Sequence, residues 1–193
     1  MVYGVMVTQL FLVQSFKVRV LVNQLTNIIV MVVKVTEEDK QFANKQIEAF
    51  EKIDAGSWRY KDVEAWRGIV CEMLVSKWLA SKFTIDKEAK GLDDSGIIDD
   101  CDLIVQNKKV EIKSATKNYF KYLMPKIHDV RDKPKDFYIG AKYNETVEPN
   151  EVQILGYIKR SEILNYPIKQ NKGAPYYEVP LSALKEITQQ TFE

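Results

Sequence analysis

The stretch that most restricts what this chain can fold into is Asp102-Leu-Ile-Val-Gln-Asn-Lys-Lys-Val-Glu-Ile-Lys113. Both halves are rich in Val and Ile, and the polar Asn107-Lys108 pair between them suits a two-residue hairpin turn. Such a turn sets Val105 against Val110, Ile104 against Glu111 and Asp102 against Lys113. Side chains alternate faces along a strand, so Leu103, Val105, Val110 and Ile112 read as a buried layer, while Asp102, Ile104, Glu111 and Lys113 share the other face. Two carboxylates and an amine therefore converge. Acids this close raise each other's pKa unless a cation lies between them. A hard divalent metal held by carboxylate oxygens and a backbone carbonyl is one such cation. A solvated Asp102–Lys113 salt bridge on an exposed hairpin face is the other reading.

The remaining sequence supplies a setting for that hairpin. At 193 residues the chain is long enough for one domain with a substantial core. The formal net charge is +1, so any affinity for a polyanion must come from local patches. Cys71 and Cys101 lack partner-like spacing and His128 is the sole histidine, which leaves no Cys/His zinc set. Free cysteines suit a reducing cytoplasm. Residues 1–35 are strongly apolar, yet Gln9, Gln14, Lys17, Arg19 and Asn23 break every run before membrane-spanning length. Neither a basic start nor a small-residue cleavage site marks a signal peptide. Alternation from Phe16 to Val22 and a second β-rich run from Ile28 to Val35 predict an N-terminal β-hairpin extension over 1–35. It is expected to lie outside the single domain of 36–193, with its apolar edge offered as a dimer contact.

Thr36-Glu37-Glu38-Asp39 predicts an N-cap with acids in the first turn of a helix running to about Asp54. A second helix, over roughly Tyr60–Lys82, is apolar nearly all round and belongs in the core. Glu72 is its anomaly. At helical spacing it lies with Ala65, Gly68, Ile69, Val75 and Leu79, where an acid needs a metal, a lysine or a hydrogen-bond partner; beside Lys77 it would instead face solvent. Asp86 to Asp102 is strongly acidic, which reads either as a solvated loop or, at Asp99 and Asp100, as acids that tune metal affinity or substitute for Asp102 in another register; Asp100 shares the Asp102 face if the strand begins early. From Lys108 to Lys135 the sign reverses. Ser114, Thr116, Lys117, Lys121, Lys126 and Arg131, interleaved with Tyr119, Phe120 and Tyr122, make a stripe suited to neutralising phosphates and packing against sugars or splayed bases. His128 is either a proton shuttle or incidental. Strands are expected over Asp136–Tyr143, Gln153–Ile158 and Tyr176–Val179, with a short helix starting at Ser161 and a last helix over Leu181–Gln189.

An acid, about nine residues, then Glu-x-Lys on the next strand, preceded by a glutamate-bearing helix, resembles the PD-(D/E)xK nuclease superfamily. Cys101 stands where the family name has proline. The resemblance covers roughly residues 60–160, and its specific part is Glu72, Asp102, Glu111 and Lys113. It implies an α/β (α+β) fold with a restriction-endonuclease-like core, a mixed central sheet flanked by helices. It also implies Mg2+ or Mn2+ held by Glu72, Asp102, Glu111 and the carbonyl of Ile112, with Lys113 orienting or deprotonating water or stabilising developing charge. The expected activity is hydrolysis of duplex or branched DNA, by a homodimer where two strands are cut. The alternatives are a nuclease-like fold that binds nucleic acid without chemistry, and an assembly protein that associates through its apolar hairpin.

Overall fold

Two adjacent strands, Phe137–Asn144 and Glu151–Lys159, bury most of their residues, and burial on both faces places a strand at the middle of a sheet. The computed structural model describes residues 18–22, 29–53, 64–88, 101–170 and 173–193. In chain order the main strands are β1 (Val18–Val22), β2 (Ile29–Lys34), β3 (Ile85–Glu88), β4 (Leu103–Val105), β5 (Lys108–Ala115), β6 (Tyr122–Leu123), β7 (Phe137–Asn144) and β8 (Glu151–Lys159). The helices are α1 (Glu37–Ile53), α2 (Ala65–Ala80), α3 (Ile127–Arg131) and α4 (Arg160–Ile163). Among the described residues a seven-stranded sheet runs β1-β2-β8-β7-β5-β4-β3. It is mixed: β5 and β7 are parallel and the other neighbours antiparallel. Short strands β9 (Ile168–Lys169), β10 (Tyr176–Tyr177) and β11 (Val179–Pro180) complete the chain, with β11 pairing β6.

One face of the sheet packs on α2, whose buried residues are Val70, Cys71, Leu74, Val75, Trp78 and Leu79. Each large side chain there contributes roughly 1.5–3 kcal/mol by leaving water, which fixes the helix rotation and hence where Glu72 points. The opposite face carries a second core of Leu123, Val130, Tyr138, Ile158, Ile163, Tyr177 and Val179. Strand β8 serves both cores through a bulge. Gly140 pairs Gly156 but Ala141 pairs Ile154, so one extra residue flips the alternation, and Ile154 joins the α2 side while Ile158 joins the other. Gly156 has φ +132°, and a Cβ there would lie 2.2 Å from the Lys185 carbonyl, so only glycine fits.

Helix α1 starts as its sequence predicts. Thr36 Oγ1 accepts from the Asp39 N–H at 3.2 Å, and Asp39 Oδ2 accepts from the Thr36 N–H at 3.0 Å and its hydroxyl at 2.8 Å. Asp39 also pairs with Lys77 of α2 at 3.3 Å, tying the two helices together.

Two expectations are corrected. The N-terminal hairpin does not stand outside the core: β2 pairs β8, with Met31 opposite Ile154 and Val33 opposite Val152, so β1 and β2 extend the main sheet. Val32, Val33 and Val35 are buried in the main sheet. The last helix is also absent; Leu181–Ala183 is a single 3-10 turn, after which Leu184 is extended and Lys185 bridges Tyr157. That chain is held by strand-like bonds on both sides of Lys185, Tyr157 N–H to its carbonyl and its N–H to Tyr157 O, both 2.8 Å. The turn at 23–27, the end of the first predicted helix at Ala55-Gly56 and the start of the second at 60–63 lie outside the described residues.

Candidate active site

The hairpin forms, but with its turn one residue earlier than expected. Gln106 and Asn107 both have positive φ (48° and 63°), as a primed two-residue turn requires. Leu103 therefore pairs Val110, Ile104 pairs Lys109 and Val105 pairs Lys108. Two anchors from β3's end set this register: the Asn107 N–H donates to Asp86 Oδ2 at 2.6 Å and the Gln106 N–H to the Thr84 carbonyl at 3.3 Å. The pairing differs by two residues from the predicted one, and a slip of two leaves every side chain on its original face. Val110 and Ile112 are accordingly buried against α2, while Glu111 and Lys113 emerge on the opposite face.

Asp102 sits just before β4 and does not pair with Lys113. Its N–H donates to the Val110 carbonyl at 3.1 Å, and its Oδ2 accepts from the Ile112 N–H at 2.6 Å. A carboxylate thus takes the place of a strand partner. Because β4 begins at Leu103, no described strand lies beside β5 past Val110 on this side. In extended chain a residue's C=O points the same way as its N–H, so the Ile112 carbonyl also faces the Asp102 side.

Glu72 comes from above, on α2. One turn earlier Gly68 lets the helix lie close over β5; a Cβ there would touch Ser114 Oγ at 3.6 Å. Glu72 is an exposed residue, as the solvent-facing reading of the sequence has it, although protein stands close around its carboxyl group. That surrounding protein, then the nearby charge of Asp102, lifts its carboxyl to about 8, against the pull of Lys113. Asp102 is lifted to about 7, first by burial and then by Glu111, with the Ile112 N–H and the lysines opposing. The four predicted residues Glu72, Asp102, Glu111 and Lys113 thus share one electrostatic environment, although they arrive from both faces of the sheet.

Two further groups, unmarked by any sequence pattern, complete the cluster. Lys113 Nζ lies 2.5 Å from Glu111 Oε1 and 3.5 Å from Asp129 Oδ2 on α3. Lys135, on the loop leading into β7, reaches Glu111 Oε2 at 3.7 Å with only 4% of its side chain exposed. Burial alone would lower the Lys113 pKa, but Glu111, Asp129 and Asp102 raise it overall. Burial pushes the Tyr138 phenol up, Glu111 and Asp129 adding to it.

The donor chemistry suits a hard divalent ion. The charge of Asp102 acts on Glu72 and that of Glu111 on Asp102, and the Ile112 carbonyl lies on the Asp102 side. Among the described residues no three His, Cys, Asp or Glu side chains are gathered as a ready-made ligand shell. Both oxygens of Glu111 face lysine amines.

The predicted phosphate stripe does not form one free basic track. Ser114 lies beneath Gly68 of α2. The Thr116 carbonyl accepts from Arg67 at 3.3 Å, and Lys117 pairs with Glu64. Arg131 donates to the Tyr177 hydroxyl at 2.9 Å and stacks over that ring, whereas Lys126 pairs with Tyr176 through its backbone. Lys121, Tyr119, Tyr122 and Met124 remain exposed. His128 pairs with Asp132 at 2.7 Å on the exposed face of α3. Asp99 and Asp100 lie outside the described residues. No helix among the described residues is long and apolar enough to cross a membrane.

No protein-family model, no curated protein and no solved structure matches this chain.

Proposed function

We propose that this protein is a metal-dependent DNA endonuclease with a restriction-endonuclease-like core, acting on duplex or branched DNA. The observation that carries the reading is the convergence of Glu72, Asp102, Glu111 and Lys113 where β4 begins, with two of the acids lifted to about 8 and 7 by burial and by one another's neighbouring charge. The mixed sheet with parallel β5 and β7 and a helix over β5 is compatible with such a core.

Mg2+ or Mn2+, when bound, would polarise the scissile phosphate and lower the pKa of a bound water. Glu72, Asp102 and the Ile112 carbonyl would hold it, with Glu111 as a shared outer carboxylate. The Ile112 N–H fixes the Asp102 carboxylate in place. Lys113, an ammonium gripped by Glu111 and Asp129, is a donor poised to stabilise negative charge developing on phosphate. Lys121 and the exposed Tyr119 and Tyr122 would contact the backbone and unpaired bases. Cutting both strands of a duplex or junction asks for two copies of the site, hence a homodimer.

The test is cleavage of labelled duplex, single-stranded, flap and four-way-junction DNA with Mg2+, Mn2+ or EDTA, for the wild type, Asp102→Ala and Lys113→Ala. Metal-dependent cutting lost in both variants is expected. One observation favours a second reading: the lysines already neutralise Glu111, as they would in a nucleic-acid-binding protein without chemistry. Salt-dependent DNA binding with no cleavage under any metal would select that reading.

A further inference from the structure

The short strands of the chain's last third join into one element. β6 and β11 pair with Leu123 opposite Val179 and Tyr122 opposite Pro180, and the bridge between Lys126 and Tyr176 keeps that register. β9 lies on the far side, with Lys169 opposite Tyr176 and Ile168 opposite Tyr177. The Tyr177 N–H donates to the Pro125 carbonyl at 3.0 Å, and the Glu178 N–H to the Pro167 carbonyl at 2.9 Å. Residues 121–127, 175–181 and 167–169 thus form a three-stranded antiparallel ribbon.

Side chains alternate across it. Leu123, Pro125, Tyr177 and Val179 are buried, and Arg131 fixes the Tyr177 hydroxyl at 2.9 Å. The other face is open. Tyr122 is 42% and Met124 46% exposed, and Lys169 is exposed beside the half-buried Tyr176. Directly opposed residues share a face, so the Tyr176 ring stands between two lysines, Lys126 on one neighbouring strand and Lys169 on the other. Tyr122, four residues before Lys126, offers a second ring roughly 13 Å along the strand. Glu178 is an acid on the same face, set two residues beyond Tyr176.

A protein partner is the poorer match for such a face, because lysine is depleted from the buried core of protein interfaces. An unpaired nucleic-acid strand matches better: rings stack bases without reading them, and ammonium groups beside the rings meet phosphates. The ribbon also adjoins the candidate site, since α3 begins directly after Lys126 and carries Asp129 against Lys113. We propose that the outer face of this ribbon binds a single nucleic-acid strand, Tyr122 and Tyr176 stacking bases and Lys126 and Lys169 meeting phosphates. Such binding goes beyond the catalytic reading and needs no metal.

The test is fluorescence anisotropy of labelled oligothymidylate, oligouridylate and duplex DNA with the full chain in EDTA, and thermal unfolding verifies that each variant folds. Tyr122→Ala and Tyr176→Ala should each weaken single-strand binding by about tenfold, and Tyr176→Phe should keep the wild-type affinity. Lys169→Gln should flatten the dependence of log affinity on log salt by about 0.7. Phe42→Ala, which removes a ring of similar exposure on α1, should change nothing. The tighter of the two single strands identifies the sugar. Unchanged single-strand affinity in folded Tyr122→Ala and Lys169→Gln would overturn the proposal, and these exposed positions decide if Tyr176→Ala does not fold. So would self-association of the wild type that Tyr122→Ala abolishes without loss of nucleic-acid affinity, which would give the face to a second copy of the chain. A wild type that binds neither single strand yet cuts duplex DNA with Mg2+ would overturn the platform and leave the nuclease reading standing; one that binds no nucleic acid and cuts none would overturn both.

Discussion

Asp39 and Asp102 are both largely shielded carboxylates beside helix α2, and they are treated in opposite ways. Asp39 accepts from the Thr36 N–H and hydroxyl and pairs with Lys77, so its oxygens are engaged at 2.8–3.3 Å. Asp102 receives one backbone N–H, faces Glu72 and Glu111, and has its carboxyl lifted to about 7. A carboxylate that serves the fold is satisfied by the fold. One left short of donors beside other acids stores unfavourable charge that a bound cation relieves, and that contrast separates a structural acid from a candidate ligand.

Exchanging the two sites by mutation tests the contrast. Asp102→Ala should lower metal-dependent cleavage by about 10²–10⁴-fold in a DNA-nicking assay, without a fall in thermal stability. Asp39→Ala should do the reverse, losing about 1–3 kcal/mol in denaturant unfolding as the cap and the Lys77 pair go, with cleavage intact below the melting temperature. If Asp39→Ala abolished cutting in a folded protein, the division would fail.

A third experiment reads stored charge directly. In the folded chain Asp102 and Glu72 titrate at about 7 and 8, above their ordinary values of 3.8 and 4.5, so between these limits the folded state holds protons that the unfolded state has released. Stability from this source is complete below the ordinary values, declines as pH rises above them, and is fully lost once pH has passed through 7 to 8. In EDTA, unfolding midpoints should therefore drift down from about pH 4 to about pH 8 and level off above, Asp102→Asn should flatten the drift, and excess Mn2+ should cancel it. A slope identical in Asp102→Asn would place its origin elsewhere.

The smallest effect on the fold is expected at Tyr119, which is 70% exposed and stacks edge-on with Phe120 at 4.9 Å. Tyr119→Ala should leave stability within about 0.5 kcal/mol while loosening single-stranded DNA roughly tenfold in a fluorescence-anisotropy titration, because a stacking platform is lost. Unchanged affinity would confine the nucleic-acid contact to other residues.

Much of this was legible in local pattern. Thr36 and Asp39 read as a cap because capping depends on residues three apart in sequence, and they form one. The faces of the β4–β5 hairpin read correctly because alternation has period two and survives a two-residue slip. The slip itself was not legible. Nothing in Gln106 announces a positive φ; contacts with Thr84 and Asp86, some twenty residues away in sequence, hold the turn there. The predicted last helix failed because its apolar spacing over Leu181–Gln189 is outweighed by the bridge from Lys185 to Tyr157, which holds the chain extended.

Sequence alone therefore singled out the candidate residues: Glu72 as an acid on an apolar helix, and Asp102, Glu111 and Lys113 as charges on one hairpin face. These follow from spacing, which is a property of the chain. Tertiary structure decided how those charges are balanced. It made the N-terminal hairpin part of the main sheet, and it spent Lys117 and Arg131 on Glu64 and Tyr177. It also brought Asp129 and Lys135 to Lys113 and Glu111 across the sheet. Electrostatic pairing depends on distance through space, and only the packing of α3 and the loop before β7 against β5 sets that distance.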